Sequence, residues 1–194
     1  MSTLSGTKIK DTYSGLLKTT DNAALSGTFK AVTDGAGNNS GLELNTTYAR
    51  ATNGILFGAD TAAASALDDY EEGTWTPAAS SVGGGESVSY ASRSGTYVKI
   101  GNTVFLGGEI SLSSVSGGSG AFNMTGIPFT PTSSFAGSFF SSNFNVGVGK
   151  NITHYTGAAL GFLGSDNVGG SFNWGAFSAL ASNTNITFSF NYKV

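Results

Sequence analysis

Turn-forming residues divide this chain into short apolar runs, and that division limits the fold more than any other feature of the sequence. Glycine occurs 29 times in 194 residues, and serine, threonine and asparagine fill most of the other gaps. An aromatic content of 12% supplies apolar area that disordered chains lack. Short strands at regular spacing, with polar turns and almost no helix, indicate an all-β fold. For residues 78–194 we predict an antiparallel β-sandwich head, jelly-roll-like in its connections.

The last strand shows the clearest alternation in the chain. Its polar residues alternate with four large apolar residues, Ile186, Phe188, Phe190 and Tyr192. Because successive side chains point to opposite faces of a strand, this pattern predicts a strand with one face in the core.

Residues 96–106 predict a hairpin whose register depends on the length of its loop. A two-residue loop, Gly101-Asn102, would place Val98 and Val104 on opposite faces. A three-residue loop, Ile100–Asn102, would place both valines on one face and separates apolar from polar side chains better. We therefore predict the three-residue loop.

Residues 1–60 contain short β-like runs, at 28–33 and 42–44 among others, that the turn at Asp34-Gly35 and similar segments separate. The large apolar residues of this zone are too few to enclose a core. Such segments are stable when copies wrap around each other and share a core. We therefore predict an extended β stalk or attachment segment, assembled with other copies of the chain.

Residues 61–77 form the predicted joint between the two zones. The stretch Ala62–Glu72 has the composition of a short helix, which Gly73 would end. Pro77 then favours an extended chain. The apolar residues expected to pack at this joint and between copies are Leu67, Tyr70 and Trp75.

Charge is sparse, at 11% of residues, and excludes several classes of partner. Residues 78–194 hold three acidic and four basic residues, too few to solvate the surface of an ordinary monomer. No basic run suits a nucleic acid, and no apolar segment reaches the length of about 20 residues that a membrane requires. With no cysteine and no secretory signal, we expect synthesis in a cytoplasm.

Two segments carry a resemblance to a known group of proteins. Residues 67–77 read LDDYEEGTWTP, and residues 95–104 read GTYVKIGNTV. Together they resemble a recurrent signature of bacteriophage tail-fibre and related virion proteins, in which an acidic DxYEEGTWTP element precedes a terminal β domain. Residues 126–129, the closing strand 188–194 and the opening residues 6–13 are similar to the same pattern.

The resemblance implies a homotrimer in the virion. Its N-terminal part would dock on other virion proteins, of the tail or the capsid, and the C-terminal domain would face outward. The host surface, through a polysaccharide or an outer-membrane protein, is then the expected partner. The chain is short for a tail fibre and has no long repeat stalk, so a capsid decoration protein or a head fibre is the alternative.

Residues of the kind that support catalysis are few, and we predict no enzyme, no cofactor and no metal site. The one cluster of carboxylates is Asp68, Asp69, Glu71 and Glu72. On a helix Asp68 would share a face with Glu71 or Glu72, which leaves a calcium site as the alternative, but no apolar pocket raises a carboxyl pKa for catalysis. His154 is the sole histidine, whereas a catalytic triad needs a nucleophile and a carboxylate that converge on it.

Aromatic side chains remain as candidates for binding a receptor. Tyr155, Phe172 and Trp174 lie among polar and glycine-rich residues. Exposed rings beside Asn and Asp are typical of sugar-binding surfaces, because the rings stack on the sugar and the polar groups bind its hydroxyls. These three residues are our predicted glycan-binding set. The alternative is that they pack in the core or between copies.

Overall fold

The chain divides into two compact units, Met1–Asp68 and Asp69–Val194, and the boundary falls within the predicted joint. We name residues 15–68 the N-terminal unit and residues 69–194 the C-terminal unit. The structure is a computed structural model that describes residues 15–132, 136–144, 150–154, 160–165, 172–174 and 177–194.

The N-terminal unit is a small antiparallel sheet whose four strands neighbour one another in chain order. They are β1 (Lys18–Thr19), β2 (Lys30–Thr33), β3 (Asn39–Leu44) and β4 (Ala49–Ala51). The turn between β2 and β3 is held by Asp34, whose carboxylate accepts hydrogen bonds from the backbone and side-chain amides of Asn38, both at 2.8 Å. The runs predicted at 28–33 and 42–44 therefore become β2 and β3.

The C-terminal unit is an antiparallel sheet of ten strands within the described residues, which confirms the all-β prediction. Neighbouring strands follow the order β5-β7-β8-β14-β10-β11-β12-β9-β6, and β13 pairs with β12. The strands are β5 (Tyr70–Trp75), β6 (Ala78–Ser81), β7 (Glu86–Ile100), β8 (Thr103–Gly117), β9 (Phe122–Thr125), β10 (Ala136–Phe144), β11 (Lys150–His154), β12 (Leu160–Ser165), β13 (Phe172–Trp174) and β14 (Leu180–Lys193).

One buried cluster joins strands from distant positions in this sheet. Side chains of β5, β6, β8, β9 and β14 all contribute to it, so the sheet folds over on itself and encloses the core between two layers. The alternation predicted for the last strand is confirmed, since all four of its large apolar residues are buried. The fourteen buried apolar residues are Trp75, Ala79, Val104, Leu106, Ile110, Leu112, Phe122, Met124, Phe177, Leu180, Ile186, Phe188, Phe190 and Tyr192.

The helix predicted over Ala62–Glu72 is wrong. A single turn of 3-10 helix covers Ala63–Ser65, and β5 begins at Tyr70. Strand β5 pairs with β7 from Tyr70 opposite Ile100 to Trp75 opposite Gly95, and this pairing outweighs the helix propensity of the sequence. None of the described segments forms a helix that is long and apolar enough to cross a membrane.

The three-residue loop predicted for the hairpin is also wrong. Ile100 pairs with Thr103, which leaves the two-residue loop Gly101-Asn102 between β7 and β8. Val104 is buried, whereas Val98 lies on the other face of the sheet. The observed register turns Lys99 toward the face of Val104, where its ammonium pairs with Asp69.

Candidate functional site

The predicted glycan-binding residues lie in the least described part of the chain. Tyr155 is outside the described residues. Phe172 and Trp174 are the ends of β13, where Trp174 pairs with Leu163 of β12. The structure does not describe the side chains of Phe172 and Trp174, so their role in binding stays a prediction.

The three residues predicted to pack at the joint lie in different surroundings within their own units. Leu67 forms an isolated antiparallel bridge with Ile55 in the N-terminal unit. Trp75 is buried in the C-terminal unit, where Gly95 leaves room for its indole ring and its Nε1 donates to the carbonyl of Gly107 at 3.4 Å. Tyr70 points to the opposite face of β5 and is exposed. Their role in contacts between copies stays a prediction.

The carboxylate cluster is divided because residues 70–75 form a strand rather than a helix. Glu71 lies on the inner side of β5 and accepts a hydrogen bond from the hydroxyl of Tyr97 at 2.5 Å, which raises the pKa of that tyrosine. Glu72 lies on the other side. Among the residues that the structure describes, no three His, Cys, Asp or Glu side chains are grouped so that they could hold a metal ion.

Three aromatic side chains project from the sheet face turned away from the core. We name this side of β5, β7, β8, β14 and β10 the outer face. Tyr70 of β5 is 59% exposed, Phe105 of β8 is 48% exposed and Phe140 of β10 is 75% exposed. Ile100 is also exposed beside Tyr70, so the outer face carries apolar surface that the core does not use.

The strand register sets the spacing of these rings. Tyr70 is opposite Ile100 of β7, which is opposite Thr103 of β8. Phe105 is therefore two strands away from Tyr70 and two residues farther along β8. Phe140 lies two strands away on the other side, opposite Thr187, which is itself opposite Glu109. With strands about 4.8 Å apart and a rise of about 3.4 Å per residue, the Cα separations are roughly 12 Å and 17 Å. The three rings therefore follow one diagonal across the outer face.

Small hydroxyl side chains separate Phe105 from Phe140. One row across four strands contains Thr96, Gly107, Ser189 and Ser138, each opposite the next. Because Gly107 has no side chain, the surface of the sheet is lower at this position of the row. Its hydroxyls can donate and accept hydrogen bonds without bringing charge.

The outer face has little net charge. Glu72 and Glu109 are its exposed carboxylates, and Lys193 is an exposed cation on the neighbouring strand β14. The hydroxyl of Tyr70 donates to Glu72 at 2.9 Å, which raises the pKa of Tyr70 and fixes the orientation of its ring. The face therefore combines oriented aromatic rings, neutral hydroxyls and two acceptor carboxylates.

Sequence reasoning missed this face because it chose the wrong hairpin register. The three-residue loop places Phe105 among polar side chains, so it does not predict that Phe105 and Tyr70 share one face of the sheet. The available signal was the dipeptide Gly101-Asn102, since Gly-Asn between two strands is typical of a two-residue turn. Gly101 indeed has a positive φ of 55°, as such turns require.

Comparison with known proteins gives one similar fold. No family of known proteins matches the chain, and no curated protein sequence matches it. The crystal structure of the Dettilon tailspike protein is similar, with a TM-score of 0.51 and 17% sequence identity. The match covers 64% of this chain and 24% of the tailspike chain, so the shared part is about a quarter of that protein. At this identity the likeness concerns the fold.

Proposed function

We propose that this chain is a structural protein of a bacteriophage particle. It is a tail-fibre-like homotrimer whose N-terminal part docks on other virion proteins and whose C-terminal unit faces outward to contact the host surface. The chain is made in the host cytoplasm and acts in the virion, and its partners are proteins and host surface molecules rather than nucleic acid.

The observation that carries the proposal is the fold shared with a protein that is described as a tailspike. The similarity spans more than half of this chain at low sequence identity. The DxYEEGTWTP element at residues 67–77 supports it independently, because that element resembles one that precedes terminal β domains in virion appendages.

The N-terminal unit supports a homotrimer because it buries almost none of its apolar side chains. Val32 and Thr33 are the buried residues among residues 15–68. A unit of this size is marginal even when its core is complete. Eight large hydrophobic residues of the unit are exposed: Leu16, Leu17, Leu25, Leu42, Tyr48, Ile55, Leu56 and Phe57.

The exposed apolar area is large enough for a stable contact. At roughly half exposure each, the eight side chains present on the order of 800 Å² over the unit as a whole, which compares with what one partner contributes to an interface of standard size. One face of the sheet, the apolar face, carries Leu42 opposite Ala51 and Leu44 opposite Ala49. The ion pair Glu43–Arg50 lies on the other face.

A second copy is the partner that suits the apolar face. Like charges meet when a surface contacts its own copy, and the one lysine of this face, Lys30 opposite Leu44, is paired with Asp21 at 2.8 Å. Copies made together would also give each unit its missing cover during folding, before any other virion protein binds.

The arrangement of carboxylates favours binding over hydrolysis. Glycoside hydrolases place two carboxyl groups roughly 5 to 9.5 Å apart. On the outer face, Glu72 and Glu109 are separated by two strands and four residues, a Cα distance of roughly 17 Å. Glu86 is engaged elsewhere, because its carboxylate accepts hydrogen bonds from the Ser81 hydroxyl at 2.7 Å and the Ser81 amide at 3.2 Å.

Immunogold labelling of purified particles, followed by electron microscopy, tests the proposal. We expect label at the tail. Label spread over the capsid in many copies would favour the alternative, a capsid decoration or head-fibre protein. Absence of the chain from purified particles would overturn both. Light scattering after size exclusion should give three times the chain mass of 19.6 kDa, and a stable monomer would contradict the trimer.

A further inference from the structure

We propose that the outer face of the C-terminal unit binds an extended, uncharged polysaccharide along the diagonal from Tyr70 through Phe105 to Phe140. This inference rests on the proposed function, because it names the host-surface molecule that the outward unit contacts. It assigns the contact to described residues on a sheet, and not to Tyr155, Phe172 and Trp174.

The rings supply the stacking surfaces. An aromatic face has negative electrostatic potential, which attracts the polarised C–H groups on one side of a sugar ring. Each of the three rings is about half exposed or more. The hydrogen bond from Tyr70 to Glu72 keeps the first ring oriented before a ligand arrives, which lowers the entropic cost of binding.

The length of the diagonal favours a polymer over a single sugar. Four strands and six residues separate Tyr70 from Phe140, which places their Cα atoms roughly 28 Å apart. A monosaccharide is about as wide as one aromatic ring and can contact one of the three. A chain of several sugars can contact all three and reach the hydroxyl of Ser189, which lies between Phe105 and Phe140.

The charge of the face favours an uncharged ligand. Glu72 and Glu109 flank the diagonal and accept hydrogen bonds from sugar hydroxyls. Both carboxylates would repel the uronate or sialate groups of an acidic polysaccharide, and Lys193 offsets only one of them. The hydroxyl row of Thr96, Ser189 and Ser138 matches a ligand made of hydroxyl groups.

A protein partner fits this face less well. The core of a protein interface is a contiguous apolar cluster near its centre, with a polar rim around it. Here Tyr70, Ile100 and Phe105 lie toward one end of the face, and the row with Ser189 and Ser138 separates them from Phe140. The described apolar side chains are therefore divided rather than gathered into one cluster.

Retention on immobilised polysaccharides tests the inference with the full chain. The panel contains neutral bacterial polysaccharides of hexoses and N-acetylhexosamines beside uronate-containing ones. We expect retention on at least one neutral polysaccharide, and affinity lower by about tenfold in Phe105→Ala and in Phe140→Ala. Phe105→Leu and Phe140→Leu should lose nearly as much, because leucine keeps apolar area but has no ring face.

Val82→Ala is the matched control, since Val82 is an exposed apolar side chain outside the outer face. Its affinity should equal that of the unchanged protein. No retention on any neutral polysaccharide, retention on uronates alone, or equal affinity in the phenylalanine variants would overturn the inference. So would a change of oligomeric mass in those variants, which would make the face a contact between copies. Label on the particle without polysaccharide binding would leave the proposed function intact.

Discussion

The two units of this chain are both antiparallel sheets, yet they treat their apolar side chains in opposite ways. The C-terminal unit gathers fourteen apolar residues into one buried cluster. The N-terminal unit leaves eight large hydrophobic residues exposed and, among residues 15–68, buries Val32 and Thr33. The C-terminal unit therefore encloses a core of its own, whereas we propose that the N-terminal unit is covered by other copies of the chain.

The difference shows that strand content says little about independent stability. Stability comes from apolar area removed from water, and a sheet with one uncovered face removes little of it. The four predictions below test whether the two units differ as this comparison requires.

The largest effect is expected on assembly, for Leu42→Asp in the N-terminal unit. The variant places one unpaired carboxylate per copy in the proposed contact, and each costs several kcal/mol. We expect light scattering to show monomers, with the thermal unfolding of the C-terminal unit unchanged. Thr47→Asp adds the same charge at an exposed turn and should remain trimeric. A trimeric Leu42→Asp would show that the apolar face is not the contact.

The second effect is on the core of the C-terminal unit. Phe122 is fully buried, with its ring centroid 6.4 Å from that of Phe177, so Phe122→Ala should lower the free energy of unfolding by about 3–5 kcal/mol. Chemical denaturation measures this loss. The exposed Phe140→Ala should change stability by less than about 0.5 kcal/mol. If both variants lost the same amount, the outer face would be buried in solution.

A third, smaller effect should appear at alkaline pH in the C-terminal unit. Burial raises the pKa of Tyr192 to about 12 from an ordinary value of 10.0, while its hydroxyl donates to the carbonyl of Phe129 at 3.1 Å. A raised folded pKa gives stability that is complete below the unfolded value and is lost as pH rises through the folded one. We expect a loss of about 2 kcal/mol between pH 10 and 12.

Denaturation of Tyr192→Phe across the same pH range checks this assignment. The variant should be less stable at neutral pH because it lacks the hydrogen bond to Phe129, and its stability should fall less above pH 10. An unchanged alkaline loss in the variant would assign that loss to other groups.

The smallest effect is expected at acid pH in the N-terminal unit. Hydrogen bonds from Asn38 lower the pKa of Asp34 below its ordinary value of 3.8. A lowered folded pKa gives stability that is present above the unfolded value and is lost as pH falls through the folded one. The turn should therefore loosen below about pH 4. Faster amide exchange at Asn38 would show it, and Asp34→Ala should exchange faster at every pH.

The sequence predicted the strand correctly where one face of that strand is buried and the other contacts water. Residues 186–193 alternate strictly because one side packs in the core and the other contacts water. The exposed hydrophobic residues of the N-terminal unit were also expected, because too few large apolar residues occur there for a core. Both results depend on local pattern and composition.

The errors arose where tertiary pairing decides the local structure. Residues 62–72 have helical composition, but β7 offers β5 a ladder of backbone hydrogen bonds that the sequence alone does not reveal. The hairpin register was misjudged because the three-residue loop separates apolar from polar side chains more cleanly and takes Val104 to the face opposite Lys99. In the structure its ammonium pairs with Asp69 and lies 5.7 Å from the centre of the Phe129 ring, so the inner side accepts it. The outer face depends on that register and could not be identified without it.

The two-residue turn at Gly101-Asn102 has a consequence for how this surface can evolve. We expect substitutions at Tyr70, Phe105 or Phe140 to change what the proposed binding surface recognises and to leave the core intact, because all three side chains are exposed. A shift of the β7–β8 register by one residue would instead turn β8 over, so that Phe105 faced inward and Val104 faced water. The proposed binding surface can therefore change one side chain at a time, as long as the turn keeps the register of β7 and β8.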